Sequence, residues 1–279
     1  MTKLGIYILL RLSGLLFGED AGLSAGFGQV WLLCGGLATL IVGMIGMLAA
    51  KDLGKMAGYS LLVSAGTLLG AVGYGDPAVV GGALFYLVAS TLGAAAFFLL
   101  AGLIAPDGAD EVADPDLLEA YPGEAPLFAE EDESVIVISA PAALLSATFL
   151  ACTLLIAGLP PLPGFIAKFA MLAPMLGPAD PPSVAGGGTA LFVLIILSSL
   201  CALIAMVRAG IQIFWVEHRS FPAIRAAEMA PVLALLALSG VLTVAADRPL
   251  RFMSDAAQQV YSVTAYTDMV LGPGDRRAP

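Results

Sequence analysis

Two lysines set in apolar sequence are the residues whose type and placement could do chemistry. Lys168 stands in Gly164-Phe165-Ile166-Ala167-Lys168-Phe169, directly after Gly158-Leu159-Pro160-Pro161-Leu162-Pro163. An ammonium at bilayer depth costs about 2.5–3.5 kcal/mol on insertion scales, and desolvation works against its charged form. A lysine held there can take up and release a proton, which is what a relay requires. A lysine near the end of a half-helix can instead snorkel to the interface. The proline break in the same segment favours the relay. Lys3 is the second candidate. Lys3, Tyr7 and Arg11 are spaced i, i+4, i+8 and so share one helix face. Position alone leaves Lys3 open between an intramembrane charge and an interfacial anchor.

Other polar groups in apolar stretches are weaker candidates. Tyr59, Ser60, Ser64, Tyr86, Ser90 and Thr91 are hydroxyls that could hold an internal water chain, although membrane hydroxyls commonly bond to their own backbone. Arg208 lies near the end of its apolar run, placed either to snorkel or to close an ion pair. Lys51, Asp52 and Lys55 read as a loop edge, and His218 as an interfacial residue. Cys34, Cys152 and Cys201 all fall inside apolar runs with no CxxC pair, which fits packing better than metal or disulfide chemistry. No nucleophile–base pair, phosphate-cradling glycine loop or haem or iron–sulfur ligand set occurs in the sequence, so no cofactor and no metal is expected.

The elements that must position these lysines follow from composition. Of 279 residues 59% are hydrophobic and 12% charged, and the mean hydropathy is +0.94. A soluble domain carries about 25% charged residues. Water-soluble enzymes and basic nucleic-acid binders are thereby excluded. The net charge of −10 is local: Asp107–Glu133 holds half of the 22 acidic residues and no Lys or Arg. That stretch, within a loop at 106–134, is expected to be solvated, with no core of its own.

Seven apolar segments are expected, at roughly 2–18, 24–50, 57–75, 78–105, 137–176, 188–215 and 229–246, with a weakly apolar tail over 247–279. The fifth is too long for one straight span, since 40 residues would make a helix of about 60 Å. Pro160, Pro161 and Pro163 cannot stay inside an unbroken helix. The segment therefore reads as one discontinuous span, two half-helices around Gly158, Pro160, Pro161, Pro163, Gly164 and Phe165. Irregular backbone at that depth is tolerated when buried or lining a wet cavity, and such breaks build ion sites. Lys51, Lys55, Arg219 and Arg225 fall in loops on one side, which is expected to be cytoplasmic, with the acidic loop on that side too.

These motifs together resemble a family. Thr2-Lys3-Leu4-Gly5-Ile6-Tyr7-Ile8-Leu9-Leu10-Arg11 is similar to the "TKxGxYxLLR" helix of antiporter-like proton-translocating subunits. Lys51 to Ser60 resembles their "DxKRxxAYS" junction, Gly82 to Thr91 their "GAxFYxVHST" helix, and Gly158 to Phe169 their "GLPPLSGFxxKF" motif, the most specific of the set. Val207 to Trp215 and the tail Ala265 to Gly272 match best the D-type subunits of the Mrp-type (also called Pha) multisubunit Na+/H+ antiporters.

The resemblance implies an all-α polytopic bundle of about seven spans with one discontinuous helix. It assigns residues 1–20 to a central-lysine helix, 21–216 to the second of two inverted five-helix repeats, and 217–279 to a last span and tail. It matches Lys3 to the lysine between the repeats and Lys168 to the broken-helix lysine, joined by a polar axis. The expected function is a monovalent-cation (Na+)/proton antiporter subunit in the cell inner membrane. Its partners would be further antiporter subunits and a separate or missing N-terminal half. Related readings are a proton-pumping subunit of NADH-quinone oxidoreductase or a hydrogenase, and a non-transporting truncated scaffold. Three departures stand against full likeness. The chain begins at the central-lysine helix, Ala89 occupies the family's histidine position, and Gly54 replaces the first basic residue of "DxKR".

Overall fold

The computed structural model describes residues 2–18, 24, 26–104, 140–177, 186–216 and 226–261. Among these the secondary structure is helical. The elements are α1 (Thr2–Phe17), α2 (Gln29–Ala49), α3 (Leu53–Tyr74), α4 (Pro77–Ile104), α5 (Ala140–Ala157), α6 (Pro163–Met175) and α7 (Gly187–Ile211). A π-helical turn over Gln212–Val216 extends α7, and α8 (Ala226–Val244) and α9 (Asp247–Tyr261) follow. Four helices are long and apolar enough to cross a membrane singly, or five if the bent pair α8–α9 counts as one span. Each of the seven expected segments coincides with a helix or, for the fifth, a helix pair. α1, at 16 residues, and the halves of the fifth are shorter than a full span. The acidic loop 106–134, His218 and the tail motif 265–272 lie outside the described residues.

The helix ends follow from local chemistry. Asp52 caps α3, its Oδ1 accepting from the Gly54 N–H at 3.2 Å. Asp76 does the same for α4, accepting from Ala78 N–H at 2.7 Å. Such caps satisfy N–H groups that the first helical turn leaves without partners. Gly75 closes α3 at φ 80°, a left-handed conformation that glycine adopts without penalty.

The hydrophobic residues form two cores. One gathers the α3–α4 turn, α9 and Ile6 and Leu10 of α1, with Tyr74, Val79, Phe85, Met171, Leu191 and Val260. The other gathers the opposite end, with Met47, Met56, Phe97, Phe149, Met206 and Val232. Glycines let α2 and α3 approach closely: a Cβ on Gly66 would stand 2.6 Å from the Leu40 amide and 2.9 Å from the Gly36 carbonyl oxygen, and one on Gly73 would clash with the Leu33 amide. In lipid, where apolar burial drives little, such backbone proximity is a principal source of association.

One element departs from expectation. Residues 247–261, assigned to the tail, form α9, bent 78° from α8. It packs on α4 and α1, burying Ala257 and Val260.

Candidate functional site

The break in the fifth segment is built by residues that bring no N–H. Three of the seven residues from Gly158 to Gly164 are prolines. The Gly158 and Leu159 amides both donate to the Leu154 carbonyl at 3.0 Å, and Leu162 donates to Leu159 at 3.2 Å. A proline-rich link therefore crosses an apolar region with few donors left to satisfy. Gly158 turns the chain at φ 71°, and the Pro160–Pro161 bond is cis. α6 restarts with Pro163 at its first position, where a missing amide hydrogen costs nothing.

The same prolines create an acceptor. In a continuous helix the Ala157 carbonyl would accept from the amide of residue 161, but Pro161 has no hydrogen to give. Lys168, one and a half turns into α6, fills that place: its Nζ donates to the Ala157 oxygen at 3.0 Å. It also donates to Ser199 Oγ on α7 at 2.7 Å. Lys168 is buried, 6% exposed. The ammonium thus sits at the C-terminal, electronegative end of α5, held by two oxygens and with no carboxylate bonded to it among the described residues.

Lys3 has a different setting. Half-buried on α1, it donates from Nζ to Ser90 Oγ at 2.8 Å. Ser90 is midway along α4, about 20 Å from the Pro77 end. Lys3 therefore lies beside the midpoint of α4 despite its number.

Between Ser90 and the helix break lies a cavity of about 20 Å³, room for about one water. Ser60, Ser64, Tyr86, Ser90, Leu155 and Gly164 are among its lining residues. The Ser60, Ser64 and Ser90 hydroxyls donate to their own helices, at 2.7, 2.8 and 3.3 Å, so their lone pairs remain for a donor in the cavity. Buried Tyr86 is hydrogen-bonded to Thr67. The wall toward Lys168 is thin. A Cβ on Gly164 would stand 3.3 Å from Gly158 Cα, and one on Gly158 would stand 3.0 Å from Lys168 Nζ. Members of both hydrophobic cores also line the cavity, Val63 of one and Met47 and Ala202 of the other. Among the described residues no buried side-chain nitrogen or oxygen lacks a partner.

The remaining candidates fall elsewhere. Tyr59 lies against the Cα of Gly46 on α2, outside the cavity lining. Exposed Thr91 donates to its own helix at Leu87, 2.5 Å away. Tyr7 lines a separate apolar groove with Ile6, Leu10 and Leu84, and Arg11 is exposed. Exposed Arg208 makes no ion pair among the described residues: its Nη2 donates to the Ala50 carbonyl at 2.8 Å, at the C-terminus of α2. Phe165, on the outer side of α6, stacks on Phe169 with centroids 6.3 Å apart. Ser199 and Thr67 were not among the candidates. The signal for Ser199 was the Ser198-Ser199 pair in the middle of an aliphatic span.

An all-helical bundle whose helices are long and apolar enough to cross a membrane, one of them broken at prolines, belongs to the class of polytopic helical membrane proteins. Residues 1–179 match the family described as NADH:quinone oxidoreductase/Mrp antiporter, transmembrane, and the chain belongs to that family. A relative named as the D subunit of a probable K(+)/H(+) antiporter, from Rhizobium meliloti (strain 1021), is 43% identical over 97% of this chain and 51% of its own length. A second, the D subunit of the Na(+)/H(+) antiporter of Bacillus subtilis (strain 168), is 28% identical over 97% of this chain and 50% of its own. The chain spans about half the length of these curated relatives. A protein chain in the structure of the Mrp complex from Dietzia sp. DQ12-45-1b shares the fold, with TM-score 0.70 and 18% identity over 97% of this chain and 53% of that one.

Proposed function

We propose that this chain serves as the second half of a monovalent-cation/proton antiporter subunit in the bacterial inner membrane, working within a multisubunit complex and beside an N-terminal half. Lys168 is the proton-bearing group. The observation that carries this reading is the bonding of its ammonium to Ala157 and Ser199 with burial at 6% exposure. Two oxygens stabilise the charged form, and desolvation opposes it. An ammonium held by neutral oxygens can give up its proton without leaving a buried carboxylate unpaired, which suits a relay and not a structural ion pair.

Lys3 and Ser90 form the next station, and the hydroxyl-lined cavity is the path between. A proton on one lysine disfavours charge on the other, so occupancy is coupled. The Gly158–Gly164 wall stands between the cavity and Lys168. A small shift of α6 against α5, past Gly158, Gly164 and the Leu155 carbonyl, would join the two. The cation is K+ or Na+, since the two relatives are named for different ions.

Antiport in everted vesicles carrying the whole complex tests the reading. Lys168→Met abolishes cation-driven proton movement while the complex still assembles. Unchanged antiport would remove Lys168 from the mechanism and favour a scaffold role. A second reading, a pumping subunit of a redox complex, rests on the family description, which spans quinone oxidoreductases as well. Co-purification with NADH-oxidising activity would favour it.

A further inference from the structure

α9 lies outside the residues matched by the family model, and its sides differ in chemistry. Leu250, Met253, Ala257 and Val260 face the bundle. On the helical projection, Phe252 comes next to Ala256 and Pro249 on one flank. Exposed Gln259 borders that flank, and Arg248, Asp255, Arg251, Gln258 and Asp247 make up the remaining arc. Phe252 is 68% exposed, and Val244, the last residue of α8 before the bend, is 91% exposed. Arg251 pairs with Asp247 at 2.9 Å within the polar arc.

Depth can be read from α4. Ser254 of α9 lies against Gly81, where an added Cβ would stand 2.9 Å from the serine Oγ. Gly81 precedes Ser90 by nine residues, ~14 Å along the helix. The boundary of a ~30 Å hydrocarbon core is ~15 Å from its centre. With the midpoint of α4 at the bilayer centre, α9 is level with the lipid headgroup boundary, and it is bent 78° from α8. One apolar flank beside one charged arc is the pattern of a helix lying in that plane.

We propose that α9 is an interfacial helix bound by phospholipid, with Phe252 and Val244 among the acyl chains and Arg248 at the level of the lipid phosphates. This inference rests on the chain being embedded in a membrane and not on the transport reading. An opposing protein would be expected to meet the exposed surface as a whole. The sharp division between Phe252 and the charged arc matches instead a boundary between oil and water.

Single nitroxide labels at 247, 248, 251, 252, 255 and 258 test it, in a cysteine-free version of the full chain within its complex in phosphatidylcholine/phosphatidylglycerol vesicles. Relaxation by oxygen should exceed that by a water-soluble nickel chelate at 252, reverse at 251 and 258, and balance near 248. Predominant nickel relaxation at 252 would make the flank water-facing and overturn the proposal. So would a label at 252 reached by neither reagent, which would mean a protein covers it. A Phe252→Trp variant in a tryptophan-free background, quenched by lipids brominated along the acyl chain, gives the same decision without a nitroxide. Absence of quenching overturns it.

Discussion

Gly158 and Lys168 occupy one shared space. The lysine's Cδ, Cε and Nζ pass within 3.0–3.1 Å of where a Cβ on Gly158 would stand, and the same glycine turns the chain at φ 71°. One missing methyl group thus ends α5 and admits the ammonium to the carbonyl that α5 leaves open.

Gly158→Ala acts on both counts. A left-handed L-residue costs about 1–2 kcal/mol, and the new Cβ pushes the lysine off Ala157. Antiport should fall at least tenfold while the complex still forms. Wild-type transport by this variant would show that the lysine's position in the break is unimportant.

Ser199→Ala removes one of the two oxygens on the ammonium. A hydrogen bond to a charged group is worth about 1.5–3 kcal/mol, so transport should drop by about tenfold or more. Ser199→Thr keeps the hydroxyl and should restore most of it. Equal loss in both variants would point to packing on α7 in place of the hydrogen bond.

Arg208→Gln tests a role at the end of the bundle distant from the lysines. The guanidinium bonds the Ala50 carbonyl at the C-terminus of α2, an interaction worth about 0.3–1 kcal/mol at an exposed site. The purified complex should lose at most a few degrees of thermal stability and keep its antiport. Abolished antiport with unchanged stability would place Arg208 in the ion path.

Much of the architecture was legible in the residues. Apolar runs of spanning length gave the helices, because no other backbone survives in lipid without unpaired amides. Pro160, Pro161 and Pro163 gave the break, and their missing amide hydrogens left the Ala157 carbonyl free. α9 was not legible from mean hydropathy, because its apolar residues lie on one face and its average is low. The bond from Arg208 to a backbone carbonyl 158 positions away was not legible either, because no side-chain pattern announces it. Among the hydroxyls, type alone could not separate Ser90, which meets Lys3, from its neighbour Thr91, which turns back to its own helix.

By itself, then, the sequence determined that this is a membrane bundle, where one helix must break and which lysine follows the break. These are local consequences of hydropathy and of proline's missing hydrogen. Tertiary structure alone decided that Ser199 and Ala157 hold that lysine, that Lys3 meets Ser90 at the midpoint of α4, and that a small cavity lies between Ser90 and the break. Those relations depend on how separate helices rotate and slide against one another. That is fixed by glycine contacts such as Gly36 on Gly66, which couple residues far apart in the chain.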